Sequence, residues 1–197
     1  IILSPPNIKQ GWYNNIYNPK KESDQCTGDT YKYLTKKKKY NEIENLENIQ
    51  KQTIKKYYDF FGYLQFANII KNIIKNYGKI NSKNVIDKIF SNKIIIIDEA
   101  HNIRGDDSEK STDVIHYINY VLKNTKNMKL ILLTATPVYN RADEIVELLN
   151  LLLTNDKRIT IKKIFKDGKL INEEELKYKS SGYISFIKGS NSKKFPS

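Results

Sequence analysis

Two short stretches place chemically capable side chains at the ends of apolar runs. Ile94–Ile97 leads directly into Asp98-Glu99-Ala100-His101, and Lys129–Leu133 leads into Thr134-Ala135-Thr136-Pro137. A soluble chain rarely drives its most apolar run into adjacent carboxylates unless something there needs the charge. An aspartate at a strand tip, backed by an apolar sheet, makes a good Mg²⁺ ligand, because Mg²⁺ takes one or two carboxylates and completes its shell with water and substrate phosphate. On that chemistry Asp98 is the candidate metal ligand. Glu99 points differently and can orient or deprotonate a water for in-line attack on a γ-phosphate. His101, two residues on, is close enough to connect that site to a neighbouring element. Thr134 and Thr136 offer hydroxyls to such a histidine or carboxylate.

Other chemistries fit less well. A zinc protease wants His-Glu-x-x-His, whereas the two histidines here, His101 and His116, have the wrong spacing. Nothing in the sequence orients Cys26 with His101 as nucleophile and base. A carboxylate-metal nuclease needs further acidic partners, and Asp106-Asp107 read as part of a loop. Asp98 as no more than a helix cap is the plain structural alternative.

These residues need elements to hold them. Lys93–Ile97 is a short β-branched run bounded by polar residues, the pattern of a fully buried strand in a parallel sheet. Lys129–Leu133 is a second such strand. Between them, Val114, Ile118, Val121 and Leu122 recur at helical spacing within Asp113–Lys123. Strand, helix and strand over this length predict a βαβ unit. Ligands of open α/β sheets bind beyond the carboxyl ends of the strands, where both polar stretches lie, so neighbouring strands would bring them into one crevice.

Upstream, Ile1–Leu3 reads as the end of a buried strand stopped by Ser4-Pro5-Pro6. The stretch 7–17 is a candidate short helix with Ile8, Trp12 and Ile16 on one face. The stretch 18–30 reads as a loop. Lys36–Lys39 is either a solvated like-charge run or a phosphate-contacting patch. Residues 43–54 are polar, helical or poorly ordered. An amphipathic helix is expected within Tyr63–Tyr77, ended by Gly78, with another short helix over Asn84–Phe90. Tyr58, Phe61 and Phe66, in the helically spaced run Lys55–Ile74, could stack on bases, but core packing is the simpler account. Arg141–Leu153 is a strong amphipathic helix, and beyond Thr154 the chain turns polar and turn-rich.

The bulk numbers bound the class. The 197 residues suggest one domain, or one domain with part of another. A single cysteine, Cys26, excludes a disulfide within the chain and fits a reducing compartment. No apolar run reaches the roughly 18 residues of a membrane helix, so no membrane partner is expected. The formal net charge of +12 invites a polyanionic partner, although a chain so rich in Ile, Lys, Asn and Tyr also has the composition an A/T-biased genome produces. The chain begins inside an apolar run and its one methionine is Met128, from which it is expected to be a piece of a longer protein.

Together the motifs resemble the first RecA-like domain of superfamily 2 helicases and translocases. Ile94–His101 matches the family's motif II and Leu132–Pro137 its motif III. Ile1–Trp12 (IILSPPNIKQGW) is similar to motif Ia. The run TATPVYNRADEIVELLNLLL resembles the translocase branch. Gln25–Asp29 (QCTGD), DEAHNIRG and Gly182–Pro196 look closer still to the helicase-like NTPases of nucleocytoplasmic large DNA viruses.

The resemblance implies an α/β fold, a RecA-like three-layer domain with a mainly parallel sheet, incomplete at its N-terminus. It implies a partial helicase ATP-binding domain over 1–155, with a basic helical insertion around 31–90, then a linker or accessory segment over 156–197. It implies ATP and Mg²⁺ as cofactors, with Asp98 holding the metal, Glu99 activating water, and His101 linking the site to motif III. Thr134, Ala135 and Thr136 would couple hydrolysis to movement, and Ser4 and Pro5 would lie near the phosphate backbone of DNA or RNA, a contact without sequence information. Viral transcription machinery is a further implied partner, and the cytoplasm or nucleus of an infected cell, or a virion, the implied location.

None of the eight glycines belongs to a G-x-x-x-x-G-K-[ST] loop, and the arginine-finger motifs of a second lobe are absent as well. The isolated chain is therefore expected to hydrolyse ATP negligibly, while a longer parent would do so well. The alternative reading is a non-catalytic module, a degenerate RecA-like domain that binds nucleic acid or a transcription partner.

Overall fold

The computed structural model describes residues 1–18, 43–103, 109–138, 141–153 and 157–186. Cys26, QCTGD, the Lys36–Lys39 run, Asp106-Asp107 and the end of the tail from 187 onward lie outside the described residues. The chain divides into two compact units, Ile1–Ala135 and Thr136–Ser197.

The first unit is built on a four-stranded sheet of β1 (Ile2–Leu3), β2 (Phe60–Phe61), β3 (Ile94–Ile97) and β4 (Lys129–Leu132), in the order β2-β1-β3-β4. Every pairing in it is parallel, with Ile2 opposite Phe60 and Ile96, and Ile97 opposite Leu132. The isoleucine run is thus an interior strand as expected, although Ile94 is exposed, whereas β4 is an edge strand with exposed and half-buried residues and not the second fully buried strand expected. The α/β class and mainly parallel sheet expected from the sequence are both present.

Register sorts the side chains onto two faces, because successive residues point to opposite sides. On one face Ile2, Phe60 and Ile96 pack with Tyr13, Ile16, Tyr17 and Ile54. These come from α1 (Lys9–Ile16) with its following residue, and from the end of α2 (Ile43–Ile54). Gln50 ties the two segments by donating to the Tyr17 carbonyl at 2.6 Å. On the other face Phe61 meets Phe66, which meets Phe90 edge-on, both from α3 (Tyr63–Phe90). Against α3 packs α4 (Glu109–Lys123), whose Val114, Ile118 and Val121 are buried. Helices therefore cover both sides of the sheet.

Gly78 has φ +72° and interrupts α3, which resumes at once. The first helix ends where its glycine predicts, since only glycine enters this region freely. The second begins earlier than the expected Asn84. The helix expected over 7–17 is a 3₁₀ turn (Pro6–Ile8) followed by α1, and its inward face is Tyr13 and Ile16 with Trp12 at the margin, not Ile8. Strand β2 was not anticipated: two residues are too short to show a period.

Two asparagines with φ of 60° and 50°, Asn92 and Asn127, stand at the turns entering β3 and β4. Their side chains bond each other at 3.0 Å, and the Lys126 amide donates to Ser91 Oγ at 2.8 Å. The two strands are pinned in register at the end opposite the polar stretches.

The second unit has its own core. Helix α5 (Glu144–Leu152) contributes Val146 and Leu149, which pack with Leu153, Ile159, Ile164 and Phe165. A four-residue helix α6 (Ile161–Ile164) leads into an antiparallel hairpin of β5 (Phe165–Lys166) and β6 (Lys169–Leu170), and α7 (Glu173–Ser180) follows. Asn172 caps α7 by accepting from the Glu175 amide at 3.1 Å. Helix α5 is shorter than the Arg141–Leu153 expected; Arg141 instead pairs with Asp143 just ahead of it.

Candidate active site

Asp98 follows the last residue of β3, and its amide donates to the Leu3 carbonyl at 2.9 Å. The sheet thus holds the aspartate at its carboxyl edge. From there the chain makes a tight turn into a 3₁₀ segment, Ala100–Ile103. Ala100, fully buried, donates to Leu133 O at 2.8 Å, and Asn102 donates to Glu99 O at 2.9 Å. The turn is therefore bonded to the strand on each side of β3, through β1 and the end of β4.

The Asp98 carboxylate is held at both oxygens. Oδ1 accepts the Glu99 amide at 2.9 Å, and Oδ2 accepts the indole N–H of Trp12 at 2.7 Å. Tyr63, first residue of α3, donates its hydroxyl to the Asp98 carbonyl at 2.5 Å and lies 3.4 Å from the Glu99 carbonyl. Burial is the main cause pushing the Tyr63 phenol well above its ordinary range, with the nearby Asp98 and Glu99 charges adding to it and a hydrogen bond with Asn102 opposing it. Tyr63 is consequently a hydroxyl donor throughout the neutral range.

Glu99 adopts φ +48°. It is partly exposed, and its Oε2 lies 3.3 Å from His101 Nδ1. The same ring nitrogen lies 3.0 Å from Thr134 Oγ1. With Nδ1 protonated, His101 bridges the turn after β3 and the turn after β4, since only an N–H there can face the Glu99 carboxylate. Asp98, Glu99, His101 and Thr134 form one constellation, as the sequence anticipated. Ala135, exposed, closes the first unit, and Thr136 opens the second. Ser4 sits just past β1, buried at 3% exposure with its amide donating to Phe61 O at 3.1 Å, while Pro5 is half-buried.

Among the described residues no group of three or more His, Cys, Asp or Glu side chains could cage a metal. A single strand-tip carboxylate is still the donor set Mg²⁺ uses when a nucleotide supplies the remaining oxygens, so the residues present fit Mg²⁺ bound together with phosphate and not a metal held by protein alone. Trp12 and Tyr63 were not singled out as site residues from sequence. The tryptophan lay inside a quoted motif, but only the fold shows that its N–H reaches a residue 86 positions away.

The family model described as "SNF2-related domain" matches residues 1–181. The chain is 28% identical over 222 residues to "Putative ATP-dependent RNA helicase L377" of Acanthamoeba polyphaga mimivirus, covering 97% of this chain and 18% of that protein. It is 28% identical over 179 residues to "Putative helicase 087L" of Invertebrate iridescent virus 3, covering 91% of this chain and 16% of that protein. It is 32% identical over 136 residues to "Nucleoside triphosphatase I" of Heliothis armigera entomopoxvirus, covering 66% of this chain and 19% of that protein. The chain thus spans less than a fifth of each of these relatives. No solved structure matches it.

Proposed function

The chain belongs to the SNF2-related domain family, and from that premise we propose that it is the motif II and motif III portion of a nucleic-acid-dependent ATPase that moves on DNA or RNA. The helicase and nucleoside-triphosphatase names of its relatives support a hydrolase family. The observation that carries the finer reading is the convergence of Asp98, Glu99, His101 and Thr134 at the carboxyl ends of β3 and β4.

Bound Mg²⁺ would neutralise charge on the β- and γ-phosphates. Asp98 holds its carboxylate at the sheet edge where such a metal would be liganded. Glu99 accepts the proton of the attacking water, a role worth about 10²–10⁴ in rate. His101, 3.3 Å from the glutamate and hydrogen-bonded to Thr134, makes the state of the carboxylate felt at the start of the second turn. Thr136 opens the second unit and carries that change onward along the chain. Ser4 and Pro5, just past β1, lie toward the nucleic-acid backbone, with Ser4 acting through its position in the sheet since its side chain is enclosed. The +12 charge favours a polyanionic track. On this reading the setting is an infected cell or a virion, and viral transcription machinery is a partner.

The test is Glu99→Gln in the full-length protein. Turnover stimulated by nucleic acid should collapse while binding of a non-hydrolysable ATP analogue persists. Turnover at the parent rate would sink the hydrolytic reading and favour a module that only binds.

A further inference from the structure

The peptide unit joining Asp98 to Glu99 is pinned on both sides. Its carbonyl accepts the Tyr63 hydroxyl at 2.5 Å, and its N–H donates to Asp98 Oδ1 at 2.9 Å. This unit sets Glu99 at φ +48°, a region that costs an L-residue other than glycine about 1–2 kcal/mol. The simplest relief is a flip of that peptide, which would return φ to negative values and swing the glutamate elsewhere. The flip would break the Tyr63 bond and point the carbonyl away from its donor.

The carboxylate of Asp98 has a restraint of its own. Trp12 belongs to α1, on the opposite side of β1 in sequence, and its ring lies against the core of Tyr13, Ile16 and Ile54. A tryptophan serving only as core would satisfy its N–H on any acceptor. Here the N–H meets Oδ2 of the strand-tip aspartate at 2.7 Å. With Oδ1 engaged by the Glu99 amide, rotation of the carboxylate is blocked while lone pairs on both oxygens remain for a metal.

We propose that Trp12 and Tyr63 are positioning residues for the carboxylate pair: Trp12 fixes the orientation of the Asp98 carboxylate, and Tyr63 latches the backbone that presents Glu99. The proposal rests on the hydrolytic reading of Asp98 and Glu99. Partners of a metal-binding carboxylate commonly change metal affinity or activity by about 10–100-fold when removed. The two residues should divide that effect between them. Loss of the indole donor loosens the metal ligand; loss of the phenol releases the base.

The experiment uses the full-length protein labelled with 5-fluorotryptophan, the Trp12 fluorine resonance being assigned by its loss in Trp12→Phe. In Asp98→Ala this resonance should shift, whereas in Tyr63→Phe it should hold its place. In steady-state assays with Mg²⁺-ATP, Trp12→Phe should raise the Mg²⁺ concentration for half-maximal rate about tenfold with kcat less affected. Tyr63→Phe should lower kcat about tenfold with Mg²⁺ dependence retained, and the ¹³C shifts of Glu99 should move toward those of negative φ. A fluorine resonance indifferent to Asp98→Ala, or two variants with parental kinetics, would overturn the proposal. A Glu99→Gln protein that keeps its full rate while the Trp12 resonance still follows Asp98 would overturn the hydrolytic reading and support the positioning of the aspartate.

Discussion

Among the described residues four that are not glycine have positive φ, and two of the turns that hold them differ in what their residue types explain. The β5–β6 hairpin turns on Asp167-Gly168, with φ of 51° and 74°. Asp-Gly is what a two-residue hairpin of this hand demands, because aspartate tolerates the left-handed region and glycine enters it freely. The turn after β3 places Glu99 at φ 48°, where a long unbranched acid brings no local advantage. Asn92 and Asn127, the other two non-glycine residues with positive φ among those described, are again of the type that suits the conformation. Glu99 is therefore the exception, held by its surroundings and not by its own preference. Strain of this kind persists only where neighbours over-determine it, and it gathers at functional sites.

The largest effect should fall on the side of chemistry. Glu99→Gln keeps size and backbone while removing the base, so kcat of the full-length protein should fall by roughly 10²–10⁴, with its melting temperature almost unchanged. The hairpin should answer in the opposite currency. Gly168→Ala adds a Cβ at φ +74°, with open space around it but an unfavourable backbone. It should destabilise the protein by about 1–2 kcal/mol in denaturant unfolding and leave ATP turnover alone. Equal losses of activity from the two substitutions would break the contrast.

What the sequence made legible follows the same division. Asp98, Glu99, His101 and Thr134 could be named because each stands at the end of an uninterrupted apolar run, and parallel strands deliver their tips to one edge. The hairpin went unread within a segment taken as polar and turn-rich, although Asp167-Gly168 between Phe165 and Leu170 carries the short-range signal for it. Strand β2 is two residues long and takes its identity from pairing with β1, which is a tertiary fact. Trp12 and Tyr63 were visible as aromatics, but a hydrogen bond spanning 86 residues leaves no mark on local spacing. The strain at Glu99 was equally hidden, since glutamate forecasts no turn.

A smaller effect measures that strain directly. Glu99→Gly should relieve the unfavourable φ, raising stability by up to about 1 kcal/mol less whatever the partly exposed His101 contact contributes. Asp167→Gly should change stability by only a few tenths, because aspartate already tolerates the site. Thermal or chemical unfolding of the two variants side by side gives the comparison as a difference of differences. A gain at Asp167 equal to that at Glu99 would mean that the strand-tip glutamate carries no special strain.

The smallest effect concerns a pair whose geometry is again local. Arg141 bonds Asp143 through both Nε and Nη2, at 3.0 and 2.5 Å, and holds its carboxyl below the usual carboxylate range. A carboxyl depressed in the folded state stabilises the protein at every pH above its unfolded value, near 3.9, and loses that contribution as pH falls through the lower folded value. Arg141 is largely exposed and Asp143 is not, so solvent screens the pair, and Arg141→Ala should cost roughly 0.2–1 kcal/mol at neutral pH. The cost should vanish once pH has fallen below the lowered folded value, where the parent has also lost the charge. Unfolding midpoints of parent and variant across pH 2–7 should therefore converge only at the acid end. A gap that stayed constant down to pH 2 would show that the arginine acts by packing its stem and not by its charge, and the pair would then join the hairpin as a feature set by shape alone.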